Sequence, residues 1–348
     1  MPHPRRIVLG VLLLAGAACG SPSASPTPSD AAPSEPRDSS APSEAATVGD
    51  GEEWIVFQGV TDGLSLIRPD GTGNHVILGP PGDQVHADWS PDGAQIAYVQ
   101  QEENSLEIWI TDPLGTDPQP LVTEYPTELT GLFWDNPAWS PDGQQIAAIA
   151  YEGNPAEVFP KRSVLALVDV ANRTIEVVGE LESGNAHSFP RWSPDGNAFV
   201  ISVDSFSEDE FLGGAVAVIR RTDTGWSEPD PITDVFLGPT ADWHPNEDLI
   251  VFCDGVIRHP QLDDTSNLFT IRPDGTERTN LTNYGTGEGR ACQPSWTVDG
   301  RIIFNQNSTG EDFVGSIAFI NADGSGMETV LANATTGPGN HPRLRPTP

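Results

Sequence analysis

The stretch "ADWSPDGAQIAYV", Ala87–Val99, sets a tryptophan at the end of one β-prone run, then Ser-Pro-Asp-Gly, then a second apolar run. Proline presets one backbone angle, aspartate accepts bonds from nearby amides, and glycine takes the positive φ of a tight hairpin. Versions of it follow as "PAWSPDGQQIAAI" at Trp139, "PRWSPDGNAFVIS" at Trp192, "ADWHPNEDLIVFC" at Trp243 and "PSWTVDGRIIFNQ" at Trp296, spaced by 50, 53, 51 and 53 residues. A period of this size marks a repeat architecture with one supersecondary unit per repeat. Midway through each period lies a second turn signal: "LSLIRPDGT", "LEIWITDPLGT", "LALVDVANRT", "VAVIRRTDTG", "LFTIRPDGT" and "IAFINADGS". Every period therefore reads as four short antiparallel strands, and such units bury their faces by packing radially.

The expected fold is all-β, a six-bladed β-propeller with four antiparallel strands per blade. "WIVFQ" (Trp54–Gln58) is a second strand with no first strand before it, and "GNHPRLRP" from Gly339 offers a first strand with no second after it. Pairing of His341–Leu344 beside Trp54–Gln58 would close the ring and remove its open edges. A tryptophan in the same register in five repeats reads as packing between blades rather than as a sugar-stacking platform.

The repeated "WSPDG" plus "IAYV" unit resembles the WD-repeat-like propeller of the TolB family over roughly residues 51–344. The resemblance implies the fold; for function it implies less. Propellers of this kind occur in partner-binding periplasmic proteins, in specificity domains of serine peptidases and in some metal-dependent lyases. Here a linker stands where TolB carries a small α/β domain, and no peptidase domain is expected.

The start of the chain has Arg5 and Arg6, an apolar run from Ile7, and small residues before Cys19. It reads as a signal peptide over residues 1–18, with Cys19 resembling the lipidated cysteine of a bacterial lipoprotein; ordinary cleavage after a small residue is the alternative. Residues 19–49, rich in Ser, Pro and Ala, form a disordered linker. The propeller is assigned to residues 50–348. The expected location is extracytoplasmic, at a bacterial cell surface or in the periplasm, tethered or secreted, with a monomer expected and the membrane touched only through the anchor.

A net charge of −33, from 50 acidic and 17 basic residues, excludes nucleic acid as a partner. Lys161 is the only lysine, which leaves little room for Schiff-base chemistry. Gly-x-Ser-x-Gly, His-Glu-x-x-His, phosphate-loop and Cys-x-x-Cys signatures are all missing. The acidic loops from Asp204 and Gln261 lack a complete calcium-loop spacing and read as solvated surface. Cys253 and Cys292 make a possible disulfide in an oxidising compartment.

Strand alternation puts all the Asp-Gly hairpins on one uniform face. The opposite face carries irregular loops from Tyr151, Asp204, Asp254 and Gln306, and unequal insertions on a repetitive scaffold mark a binding surface. The first strands begin at that face, and the residues before each tryptophan include His86 and Asp88, Asp135 and Asn136, His187, Thr240 and Asp242, Cys292 and Gln293, and His341. His86, Asp135, His187, Gln293 and His341 are the candidate ligand-binding residues of a channel mouth. The expected function is binding of a protein, peptide or small molecule through this face, without a cofactor. The alternative is a metal-assisted lyase or hydrolase with a divalent metal on His86, His187 and His341.

Overall fold

In the computed structural model, residues 48–49, 51–59, 63–102, 105–122, 125–153, 162–182, 184–207, 211–236, 239–255, 265–307, 315–335 and 341–347 are described. They form six antiparallel sheets arranged as a propeller. Blade 1 joins Arg343–Leu344 to Ile55–Gln58, Leu64–Ile67 and His75–Leu78. Blade 2 runs from Asp83–Trp89 through Ile96–Glu102 and Ser105–Thr111 to Gln119–Pro120. Blade 3 comprises Phe133–Trp139, Gln145–Glu152, Arg162–Asp169 and Ile175–Glu182. Blade 4 has Asn185–Trp192, Ala198–Phe206 and Phe211–Thr222, edged by the short pieces Gly225–Trp226 and Asp230–Pro231. Blade 5 holds Ala241–Trp243, Ile250–Cys253, Leu268–Ile271 and Thr279–Asn280; blade 6 holds Arg290–Trp296, Arg301–Asn307, Gly315–Asn321 and Glu328–Thr335.

The ring closes as the sequence predicts. Ile55 pairs with Leu344 and Val56 with Arg343, so the last described strand becomes the innermost strand of blade 1. Arg345 fastens the seam: its backbone N–H donates to Trp54 O at 2.7 Å, its Nε to Gly93 O at 2.8 Å and its Nη1 to Gly49 O at 2.8 Å.

Packing follows from the two-residue period of a strand, which sends alternate side chains to opposite faces. Ile96 and Tyr98 pack against blade 1 with Trp54 and Val56, while Ala97 and Val99 pack against blade 3 with Trp134 and Ile146. The same alternation puts Val56 toward blade 2 and Ile55 toward blade 6. Each of the six seams between blades is thus its own apolar cluster, and the repeat tryptophans sit in these seams. Trp89 Nε1 donates to Arg343 O at 3.2 Å and Trp192 Nε1 to Ala138 O at 3.1 Å, each bonding the preceding blade.

The Ser-Pro-Asp-Gly hairpins are built by side chains. Ser90 Oγ donates to Asp92 Oδ1 at 2.6 Å and accepts Gln95 N at 2.9 Å, while Asp92 Oδ1 also accepts Ala94 N at 3.0 Å. The same pattern recurs at Ser140 with Asp142 and at Ser193 with Asp195. The serine hydroxyl bond, chiefly, holds the carboxyls of Asp92, Asp142 and Asp195 below the usual carboxylate range. Gly93, at φ +66°, supplies the left-handed corner.

Candidate functional site

The inner strands carry an irregularity that the repeat alone does not announce. Three residues before the tryptophan register, His86, Asn136, Phe189, Gln293 and His341 all have positive φ, between 33° and 54°. In blades 2, 3, 4 and 6 the pairing register shifts at this point, the mark of a β-bulge. Left-handed backbone is uncommon for residues other than glycine, and a bulge re-aims the side chain it carries.

These side chains meet. His86 and His341 stand edge to face with ring centroids 4.8 Å apart, and Phe189 stacks on His341 at 4.9 Å. His86 Nδ1 donates to Asp135 Oδ1 at 2.5 Å, and Gln293 Nε2 donates to His341 Nε2 at 3.1 Å. Asn136 Oδ1 accepts Phe189 N at 3.1 Å, and Thr240 Oγ1 accepts Gln293 N at 3.2 Å. Burial, with His86 and the arginines below adding to it, keeps His341 neutral well below the ordinary histidine range. The result is a mutually bonded cluster at the start of the inner strands, in which His86 and Asp135 form a close imidazole–carboxylate pair.

Of the five predicted residues, the structure brings together His86, Asp135, Gln293 and His341. His187 lies elsewhere. It is five residues before Trp192 rather than three, and blade 4 gives the ring position to Phe189. His187 is wedged against blade 3, where its Nδ1 lies 3.3 Å from Ser163 Oγ and its carbonyl accepts Tyr151 Oη at 2.9 Å. Burial pushes it down to about 4. Ring contact joins His86 to His341, whereas the contacts of His187 are with Ser163 and Tyr151.

Asp204, read from sequence as solvated loop, is also drawn inward. Ser188 Oγ donates to its Oδ2 at 2.7 Å, its Oδ1 is buried without a hydrogen-bond partner, and burial pushes the carboxyl up to about 7. Cys253 and Cys292 meet across the seam of blades 5 and 6 as free thiols in mutual contact. Each also has a hydroxyl neighbour, Thr240 Oγ1 at 3.2 Å from Cys253 Sγ and Ser266 Oγ at 3.0 Å from Cys292 Sγ.

Two residues further along the same strands is a second layer: Asp88, Ala138, Arg191, Asp242, Ser295 and Arg343. Asp242 Oδ2 accepts Arg343 Nη1 at 3.2 Å, Ser295 Oγ at 2.9 Å and Trp296 N at 2.8 Å. Asp88 Oδ2 accepts Trp139 N at 2.9 Å, and burial raises its carboxyl against the pull of Arg191 and Arg343. Sequence reasoning took Asp88 and Asp242 for residues of the loop-rich mouth and passed over both arginines. Only a comparison of one fixed offset across all six strands shows the layer, since four of its six positions are charged: Asp88, Arg191, Asp242 and Arg343.

No family model matches the chain, and no curated protein matches its sequence. Solved structures do match in fold. TolB from Acinetobacter baumannii superposes with a TM-score of 0.53 at 15% identity, over 80% of this chain and 69% of that one. A puromycin hydrolase superposes at 0.53 with 16% identity over 81% of this chain, and a puromycin-hydrolyzing peptidase of Mycobacterium tuberculosis at 0.50 with 14% identity over 82%. The chain spans only 45% and 53% of those two proteins. The fold is that of a TolB-like six-bladed propeller.

Proposed function

We propose that this chain is an extracytoplasmic binding protein, tethered through a lipid on Cys19, that engages a protein or peptide through its loop-rich face and channel mouth. The observation that carries the reading is the ring of five left-handed, non-glycine residues at one register. Backbone held in a sparsely populated region persists only where its surroundings over-determine it, and such positions cluster at functional sites. Here the strain aims His86, Phe189 and His341 at one another. The TolB-like fold supports a binding role, and the hydrolase neighbours extend well beyond the part that this chain resembles.

Site-specific photo-crosslinking in the cell envelope tests this. A photoreactive side chain at Glu152 or Ser207, on the loop-rich rim, is expected to capture a partner that the His86→Ala/Phe189→Ala double variant no longer captures. Crosslinks formed only from Asp142 or Asp195, in the hairpins of the uniform face, would overturn the reading.

A further inference from the structure

At the far end of the channel, the Ser-Pro-Asp-Gly hairpins surround a cavity of about 310 Å³. Its collar consists of the repeat tryptophans with turn prolines such as Pro91, Pro141 and Pro194, and its deeper wall holds Asp88, Arg191, Asp242 and Arg343. Both arginines are more than nine-tenths buried, Arg191 with 6% and Arg343 with 7% of its surface exposed. Neither guanidinium Nε has a hydrogen-bond partner. Arg343 Nε lies 3.8 Å from Asp88 Oδ1, and Arg191 Nη1 lies 3.9 Å from Asp88 Oδ2. Both separations exceed hydrogen-bond length. Arg343 Nη1 is bonded to Asp242 Oδ2 at 3.2 Å and Arg191 Nη1 donates to Pro137 O at 3.2 Å, so what the wall leaves unmet is the pair of buried Nε–H groups, each of which costs free energy until an acceptor reaches it.

The signs on the wall select its class. Two guanidinium groups and two carboxylates sum to zero, and a chain of net charge −33 repels simple anions. A ligand carrying both signs and no net charge meets neither obstacle. The volume falls at the small end of ligand pockets, roughly 300–1,000 Å³, and the collar is apolar and aromatic. We propose that this cavity binds a free α-amino acid with an apolar side chain. Its carboxylate completes the Nε–H groups of Arg191 and Arg343, its ammonium faces Asp88 and Asp242, and its side chain lies against tryptophan and proline.

The site is distinct from the loop-rich mouth, so its fate is independent of the partner-binding reading. Titration of the full chain with L-phenylalanine and L-leucine, followed by intrinsic tryptophan fluorescence and by calorimetry, tests it. Saturable one-to-one binding is expected. N-acetyl-L-phenylalanine lacks the ammonium and L-phenylalanine amide lacks the carboxylate, and each should bind at least about tenfold more weakly. Arg191→Gln should weaken L-phenylalanine binding by a similar factor. Because that variant removes a buried charge and could misfold, the blocked derivatives on the unsubstituted chain decide the matter. No binding of either amino acid, which would leave the cavity to water, or equal binding of either blocked derivative, overturns the proposal.

Discussion

At its loop-rich end the channel holds side chains that satisfy one another, whereas two residues along the same strands it holds four charged groups beside an open cavity. Both layers sit on one scaffold and differ in what the side chains find near them. In the upper layer the bulged backbone turns His86, Phe189 and His341 into mutual contact, and hydrogen bonds are completed inside the layer. In the lower layer the arginines reach Asp88 only at ion-pair distance, and nothing within the layer completes their Nε groups. Irregular loops therefore do not by themselves tell which end of a propeller leaves buried polar groups beside a cavity.

The largest expected effect separates the two layers by charge. Asp242→Ala leaves Arg343 buried with its best partner gone, and urea denaturation should show a loss of about 3–5 kcal/mol. A loss under about 1 kcal/mol would mean that the lower layer is already well hydrated and that the contrast is false.

The next effect lies in the pH dependence at the loop-rich end. Asp204 has its carboxyl pushed up to about 7 in the fold, so the native state holds a proton that the unfolded chain has released, and stability falls as pH rises from about 4 to 7. His187, pushed down to about 4, acts in reverse: its contribution is present above about 6.5 and is lost as pH falls toward 4. The two slopes oppose each other. Relative to the unsubstituted chain, Asp204→Asn should add a stability slope rising by about 1.4 kcal/mol per pH unit, and His187→Gln one falling by about the same amount. Denaturation midpoints measured from pH 4 to 7 check this, and parallel curves for all three proteins would show that neither group is shifted.

A smaller loss is expected within the upper layer. Gln293→Ala removes the donor to His341 and should cost about 1–2 kcal/mol with no change in salt dependence. A strong salt dependence would mean that His341 is charged and that the upper layer resembles the lower one. Smallest is Ser140→Ala in a hairpin of the uniform face. It deletes the bonds to Asp142 and from Gln145 N and should lower stability by about 1 kcal/mol, read by urea denaturation.

The register of the inner strands was legible in advance, because a tryptophan marks it in five blades and Leu344 holds its place in the sixth. His86, Gln293 and His341 lie three residues before the tryptophan register, while Asp135 lies four before Trp139 and is reached through its bond to His86. His187 was misplaced because the bulge in blade 4 hands the left-handed position to Phe189, and a bulge depends on the pairing of two strands rather than on one strand's composition. Asp204 was misread for a similar reason: its sequence neighbours are acidic, but Ser188 and the seam beside it decide its exposure. The two arginines escaped notice because a single buried charge in a strand carries no local signature.

The sequence by itself determined the blades. Turn chemistry at Ser-Pro-Asp-Gly is local, alternating apolar residues define two faces for every strand, and a period near fifty residues repeats that instruction until the ring closes. Tertiary structure alone decided which side chains meet at each level of the channel and where a cavity remains. That outcome rests on six side chains from six blades meeting at one axis, where a hydrogen bond 3.1 Å long between Gln293 and His341 and an ion-pair distance of 3.8 Å between Asp88 and Arg343 arise only after closure.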